Sequence, residues 1–152
     1  MIEFNWNSEL LILLDVGIAA LLTGLIGLER EVKDKPAGFR TNMIVGGSSA
    51  LLLSLGQILV EHYVQSDMEN IIQPDPTRIL EAIILGISFI GAGTILKASD
   101  ENKVYNLTTA ATVLFSAGIG IAVALEQYVL AITATLLILV INRVAKIIYN
   151  KA

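Results

Sequence analysis

Long apolar runs alternate with short polar links along this chain. Each run has about 20 residues, and at ~1.5 Å per residue a helix of that length crosses the ~30 Å hydrocarbon layer of a bilayer. The pattern therefore predicts an all-α membrane protein, with residues 1–152 forming a single domain built as a five-transmembrane-helix bundle. The five runs are Leu10–Leu28, Asn42–Val60, Ile79–Leu96, Leu107–Leu125 and Tyr128–Ile148.

The third run is preceded by residues that favour the start of a helix, and a helical wheel separates two of its faces. Asp75 suits the N-cap position, and Pro76 at the first helical position gives up only an N–H that would be unpaired anyway. Because small residues let helices approach closely in lipid, we expect this helix to lie inside the bundle. One face holds Glu81, Leu85, Ser88 and Ala92, and a second face holds Ala82, Gly86 and Gly93. The fourth run has a similar stripe of Ser116, Gly120 and Ala124.

The basic residues fall on alternate links. Nine of the 10 lysines and arginines lie between runs one and two, between runs three and four, or at the end of run five. Arg78 alone lies on the opposite side. Because basic residues favour the cytoplasmic side, we expect the N-terminus outside and the C-terminus in the cytoplasm.

The composition narrows the function class. The chain is 55% hydrophobic and 16% charged, with a mean hydropathy of +0.72, whereas soluble domains carry ~25% charged residues. A net charge of −4 gives no sign of nucleic-acid binding. The sequence contains no cysteine, no Walker-type loop, no serine elbow and no HExxH motif. We therefore expect no catalytic residues, no enzyme activity and no cofactor.

Four ionisable residues form a candidate binding cluster at the predicted outer side. Ionisable groups inside membrane helices mark ion pathways or relays, and Asp15 in the first run would cost ~3 kcal/mol at the bilayer centre. Arg78 can reach Asp75 or Glu81 at three-residue spacing, and Asp15 at similar depth. The alternative is a structural ion pair with an N-cap. In either case we expect loss of Arg78 to destabilise the protein more than loss of Lys33, and the pattern does not identify a metal. The cluster consists of Asp15, Asp75, Arg78 and Glu81.

A second candidate binding cluster lies at the predicted inner side. Arg30 and Arg40 lie near the ends of their helices, where they could pair with Glu29 or hold an anion. The alternatives are positive-inside anchoring for the basic residues, and capping of the fourth helix by Asn106. The cluster consists of Glu29, Arg30, Arg40, Thr41, Asn106, Thr108 and Thr109.

The chain also shows signs of an internal repeat. A shift of 66 residues, from 15 to 81, places Asp15 on Glu81 and Gly27 on Gly93. Both segments are helix pairs of the same direction, so a duplication would relate them by an axis along the membrane normal. We expect the two pairs to superpose, with the two carboxylates across the axis, sharing a proton, a cation or Arg78.

Five stretches match a known family in order and spacing. They are GLIGLERE (Gly24–Glu31), KPAGFRTNMIVGGSSAL (Lys35–Leu51), DPTRI (Asp75–Ile79), GISFIGAGTI (Gly86–Ile95) and NLTTAATVLFSAGIGIA (Asn106–Ala122). In these stretches the chain resembles the MgtC/SapB family of bacterial inner-membrane proteins. The resemblance implies a five-helix, multi-pass domain of the bacterial inner (plasma) membrane. Many members carry a further ACT-like domain, and with Ala152 as the last residue we expect the transmembrane domain only.

The resemblance also carries an expected function. It implies a role in growth under magnesium limitation and in virulence, as a regulator of other membrane systems, with the F-type ATP synthase as a partner. We therefore expect a non-enzymatic regulator linked to magnesium or membrane-potential homeostasis, acting through helix–helix contacts. The alternatives are a small cation transporter or channel, with a polar path from Glu81 towards Thr108, and a structural subunit of a larger complex. Small residues opposite Asp15 on the first helix also suit a homo-oligomer interface.

Overall fold

The computed structural model describes residues 6–65, 75–96 and 105–149. Over these ranges it consists of five α-helices, and the predicted all-α architecture is confirmed. Four helices are long and apolar enough to cross a membrane, and the fifth is apolar over Tyr128–Val144. The direction of insertion remains a prediction. The helices are α1 (Trp6–Glu31), α2 (Phe39–Gln65), α3 (Pro76–Leu96), α4 (Leu107–Ala124) and α5 (Tyr128–Tyr149).

The start of α3 has the predicted cap. The Asp75 carboxylate accepts the backbone N–H of Thr77 at 2.9 Å and the Thr77 hydroxyl at 2.6 Å. These hydrogen bonds hold the pKa of Asp75 below its ordinary value, because they favour the ionised carboxylate. Asp75 therefore acts as the N-cap of α3 and not as a free ligand.

The start of α4 differs from its prediction. Asn106 precedes the helix in a left-handed backbone conformation with φ of 63°, and its side chain makes no capping hydrogen bond. An N-cap side chain needs an extended backbone to reach the first N–H groups, so the predicted capping by Asn106 is wrong. Its amide instead donates to the carbonyl oxygen of Thr94 at 3.3 Å, which joins the start of α4 to the end of α3.

Helices α2 and α4 form the centre of the bundle. α1 and α3 each pack against both of them, and α5 packs against α1 and α4. Within their described ranges α1 and α3 do not touch, so they lie on opposite sides of the central pair. A two-fold relation between the α1–α2 and α3–α4 pairs would give this order of contacts, but α1 packs on α2 more extensively than α3 packs on α4. Superposition of the two pairs stays a prediction.

The structure does not bring Asp15 and Glu81 together. Their helices are on opposite sides of α2 and α4, which occupy the place where the two carboxylates were expected to meet. Asp15 instead accepts a hydrogen bond from the Tyr128 hydroxyl at 2.8 Å, which joins α1 to α5. Glu81 is exposed on α3.

Small residues allow the closest approach between α2 and α4. Ser116 and Ala124 are buried, as the predicted stripe on α4 requires. A Cβ built on Gly120 would overlap the carbonyl oxygen of Gly46 and lie 3.1 Å from the Cβ of Ser49. The stripe on α4 is therefore confirmed as a packing surface, and its glycine sets the distance between the two central helices.

α3 packs with a different face from the one that its small residues predict. Ile83 is buried in the core, and Gly91 lies against Ala110 of α4. No other part of the described chain lies within 4 Å of a Cβ built on Gly86 or Gly93. The expectation that these glycines lie inside the bundle is wrong, because the isoleucine face buries more apolar area against α2 and α4.

Thiol labelling tests the direction of insertion. Lys35 and Gln127 are exposed in the α1–α2 and α4–α5 links, and three helices separate them. In the cysteine-free chain, a membrane-impermeant maleimide should label Gln127→Cys on intact cells and Lys35→Cys only after the membrane is opened. Equal labelling of both on intact cells would contradict three crossings between them. Asp67 and Lys103 lie outside the described residues, and we expect outside and inside labelling there, respectively.

Candidate functional site

A buried arginine joins the end of α1 to the start of α4. Arg30 is only 2% exposed. Its Nε and Nη2 atoms donate to the carbonyl oxygen of Pro36 at 3.1 and 2.9 Å. Its Nη1 atom donates to the Thr112 hydroxyl at 3.2 Å, and Nη2 also donates to the Thr109 hydroxyl. The planar guanidinium thus fixes the α1–α2 link against the first turns of α4.

Neutral oxygens, and not carboxylates, hold the Arg30 charge. Among the described residues no acidic side chain forms an ion pair with it. A buried charge then depends on hydrogen bonds for its stability, and the Pro36 carbonyl and two threonine hydroxyls provide them. The Thr112 hydroxyl also donates to the Thr108 carbonyl oxygen at 2.7 Å, so it is satisfied as acceptor and as donor. This geometry stabilises the fold and leaves little of the guanidinium for an anion.

A second buried polar contact joins α2 to α4. Asn42 is fully buried. Its amide nitrogen donates to the carbonyl oxygens of Ala37 and Gly38 at 2.6 and 2.9 Å. Its amide oxygen accepts from the Ser116 hydroxyl at 2.8 Å. We call the group of buried polar side chains at this end of the bundle the inner polar network; it consists of Arg30, Asn42, Thr109, Thr112 and Ser116.

The glutamates on either side of Arg30 hold two further helices. Glu29 forms an ion pair with Lys33 and accepts a hydrogen bond from Asn142 of α5 at 2.7 Å. Glu31 accepts the backbone N–H of Phe39 at 2.8 Å, at the start of α2. An acidic side chain is favourable there because the N–H groups of a helix start are partly positive. Three consecutive residues at the end of α1 therefore contact α5, α4 and α2.

The outer cluster is not gathered into one group. Arg78 lies 3.8 Å from the Asp75 carboxylate, with its side chain 83% exposed. Asp15 accepts a hydrogen bond from Tyr128, and among the described residues no hydrogen bond or ion pair joins Glu81 to another side chain. An exposed ion pair contributes little to stability. Within a single chain, the Arg78–Asp75 pair therefore gives no reason to expect that loss of Arg78 destabilises the protein more than loss of Lys33. The Glu29–Lys33 pair is the more buried of the two.

Comparison with known proteins decides the family. The sequence model of the MgtC family matches residues 16–151. The chain belongs to the MgtC family.

Three relatives illustrate the similarity within the MgtC family. SapB of Bacillus subtilis is 38% identical over 136 residues, which is 90% of this chain and 57% of SapB. MgtC of Salmonella typhimurium is 38% identical over 131 residues, or 86% of this chain and 50% of MgtC. A protein of Escherichia coli K12 with the name "Putative magnesium transporter YhiD" is 34% identical over 129 residues, 84% of this chain and 57% of that protein. The chain thus spans between half and about three-fifths of the length of these relatives. No solved structure matches.

Three of the stretches that resemble the MgtC/SapB family meet in the inner polar network. Gly24–Glu31 supplies Arg30, Lys35–Leu51 supplies Asn42, and Asn106–Ala122 supplies the hydroxyl groups. These stretches are distant in sequence, and the packing of α1, α2 and α4 brings them together. Residues from three of these stretches therefore join three helices at one end of the bundle.

The structure divides the predicted inner cluster of this MgtC-family chain. Arg30 bonds to Thr109, whereas Glu29 bonds to Lys33 and to Asn142 of α5 and does not pair with Arg30. Arg40 and Thr41 are exposed and lie outside the inner polar network. Asn106 turns towards α3, and Thr108 contributes its backbone carbonyl but not its hydroxyl to the network.

Sequence reasoning missed three members of the inner polar network. Thr112 follows Thr109 by three residues and Ser116 follows Thr112 by four, which places all three on one face of α4. That spacing was a usable signal. Asn42 is a polar residue at the first position of an apolar run, and its role depends on the turn at Ala37 and Gly38, which the sequence did not reveal.

The chemistry available to this MgtC-family network is hydrogen bonding. It offers a guanidinium, an amide and three hydroxyl groups, and a hydroxyl needs an adjacent base before it can act as a nucleophile. Among the described residues no three His, Asp or Glu side chains come close enough to hold a metal ion. The hydrogen bonds of the network therefore have a structural role, in holding α1, α2 and α4 together.

Proposed function

We propose that this chain is a non-enzymatic regulator in the bacterial inner membrane, linked to magnesium limitation and membrane-potential homeostasis. It acts through helix–helix contacts with membrane partners, among them the F-type ATP synthase, and contributes to virulence. Membership of the MgtC family and the apolar lengths of the helices support this proposal.

Apolar packing between α3 and α4 is the observation that carries the proposal. Within one bundle, a cation path from Glu81 towards Thr108 would have to follow this contact. Ile87 packs there against a cluster that includes Val113 and Ala117. Aliphatic side chains provide no oxygen atoms to replace the water around a cation, so this contact favours a partner-binding role over conduction.

The inner polar network points the same way. Arg30 and Asn42 already donate to oxygens of the chain itself, and the Ser116 hydroxyl donates to Asn42. A ligand would have to break these bonds in a buried site, where unpaired polar groups are costly. The outward faces of the helices need no such rearrangement and are the natural surfaces for other membrane proteins.

A small cation transporter is the second candidate. Glu81 favours it, because an exposed carboxylate on a membrane helix is a typical element of an ion pathway. The name of the YhiD relative describes the same function for that protein. In this version the path would run between chains and not through one bundle.

Magnesium flux into liposomes separates the two candidates. The purified chain is reconstituted in vesicles that contain a magnesium-sensitive dye. We expect the same slow influx as in protein-free vesicles, while a magnesium ionophore added last gives the full signal. Protein-dependent influx that Glu81→Gln abolishes would overturn the regulator and support the transporter.

The regulatory role has its own test in cells. A strain without the gene should grow poorly at low magnesium, with an altered membrane potential, and the intact chain should restore both. Subunits of the F-type ATP synthase should be enriched with the tagged chain, relative to a tagged membrane protein of similar size. Normal growth and potential in the deletion strain would contradict the role, and lack of enrichment would remove this partner.

A further inference from the structure

The outward face of α3 differs in chemistry from the outward faces of α1 and α5. Those two helices present large aliphatic side chains such as Leu21 and Val129, which suit contact with lipid. α3 presents Glu81, Ser88 and Ala92 as well as aliphatic residues. A face with small and ionisable side chains is typical of contact with protein.

Most of α3 is exposed, and five of its exposed residues share one face. Arg78, Glu81, Leu85, Ser88 and Ala92 follow each other at intervals of three and four residues, and all five are exposed. Such spacing forms one straight seam along a helix and favours left-handed packing against a second helix. This seam lies opposite the face with Ile83 that packs in the bundle.

Among the described residues of one chain, Glu81 on this seam has no partner, and Arg78 has only a long, exposed contact with Asp75. Glu81 lies about 8 Å along the axis from Pro76, at ~1.5 Å per residue, inside the outer edge of the span. Among the described residues nothing bonds or pairs with its carboxylate. The Arg78 Nε atom lies 3.8 Å from Oδ2 of Asp75, whose other oxygen accepts both hydrogen bonds from Thr77, and the Arg78 side chain is 83% exposed, so this long contact leaves most of the guanidinium free. A cation and an anion are thus left at adjacent positions on one exposed face.

We propose that α3 packs in parallel against α3 of a second copy of this chain, with Arg78 of each copy beside Glu81 of the other. Copies inserted in the same direction present this helix in parallel. A two-fold interface repeats every contact, so the three-residue offset gives two reciprocal ion pairs. Ser88 and Ala92 then let the helices approach further along the seam. This inference does not depend on the proposed function.

Cysteine cross-linking in native membranes tests the interface. The chain has no cysteine, and Ser88→Cys changes a single atom. Ile90 is 47% exposed but lies about half a turn from Ser88, so Ile90→Cys is the matched control. Mild oxidation should convert most of the Ser88→Cys chain into a covalent dimer and little of the control. Failure of Ser88→Cys to cross-link, equal cross-linking of both variants, or an adduct with a different protein would overturn the proposal.

Charge exchange between two copies tests the ion pairs. In the Ser88→Cys background, Arg78→Glu gives a wholly acidic pair and Glu81→Arg a wholly basic one, so each alone should lose most of its dimer. Coexpressed with different tags, the two variants complement each other, and the mixed dimer should return to the original yield. Dimers of two identical variant chains still bring like charges together after coexpression. A higher yield of the mixed dimer therefore reports ion pairs between the two copies. A mixed dimer no more abundant than the single-variant dimers would contradict reciprocal pairing.

Discussion

Replacing Gly120 with alanine should lower the free energy of unfolding by about 3 kcal/mol, at the upper end of what one added methyl group costs in a packed core. The new Cβ would overlap the carbonyl oxygen of Gly46 and crowd the Cβ of Ser49. A flexible side chain could rotate away, but a backbone oxygen moves only with its helix. Helix α2 would therefore have to shift away from α4, and the contact at the centre of the bundle would loosen. Denaturant titration of the purified chain in a mild detergent measures the change.

Gly118→Ala is the matched control for this prediction. Gly118 lies on the same helix, and no other part of the described chain approaches within 4 Å of its built Cβ. Alanine is a better helix former than glycine, so this variant should be unchanged or more stable by about 0.5–1 kcal/mol. Equal losses of unfolding free energy at both positions would contradict this prediction. They would show that replacing any glycine of α4 destabilises the protein, whether or not it lies against Gly46.

The number of helices could be predicted because it depends on local properties. The run Leu107–Leu125 became α4, Leu107–Ala124, with nearly the same limits. In a bilayer, an apolar stretch of this length has to satisfy its backbone hydrogen bonds internally, and a helix does so without any partner. The Asp75 cap is local for the same reason, since its contacts lie within two residues.

The choice of packing face could not be predicted in the same way. Glycines mark α3 and α4 alike in the sequence, yet Gly120 lies against Gly46, whereas Gly86 lies at the surface of the chain. A stripe of small residues says that something can approach closely, but not which helix does so. On α3 the neighbour within the chain took the isoleucine face, and the small residues stayed available for another molecule.

The buried arginine shows the same limit for side chains. Arg30 and Arg40 look equivalent in the sequence, as basic residues near helix ends next to a polar link. Of the two, only Arg30 is buried, because acceptors from the nearby α1–α2 link and from the remote helix α4 converge on it. The distance in sequence between Arg30 and Thr112 is 82 residues, so only the folded arrangement of α1 and α4 selects one arginine over the other.

Replacing Arg30 with alanine should cost about 3–5 kcal/mol of stability, the range for breaking a buried charged network. The change removes four hydrogen bonds of the guanidinium, two of them to the part-buried Pro36 carbonyl, and leaves the Thr109 hydroxyl without this partner in a buried site. It also leaves a cavity between α1 and α4. Arg30→Lys should lose less, because it keeps the charge, but an ammonium group cannot match the planar fork. Thermal unfolding in detergent ranks the variants.

Arg40→Ala is the control for Arg30, since Arg40 is exposed near the same link and carries the same charge. It should change the free energy of unfolding by less than about 0.5 kcal/mol. A double-mutant cycle with Thr112→Val then separates loss of the hydrogen bond from loss of volume, because residues in one network are coupled by about 0.5–3 kcal/mol. If Arg30→Ala and Arg40→Ala had equal effects, or if Arg30 and Thr112 were not coupled, the buried guanidinium would not hold α1 to α4. A large and coupled effect would mean that the contact between Arg30 and Thr112 contributes to holding these two helices together.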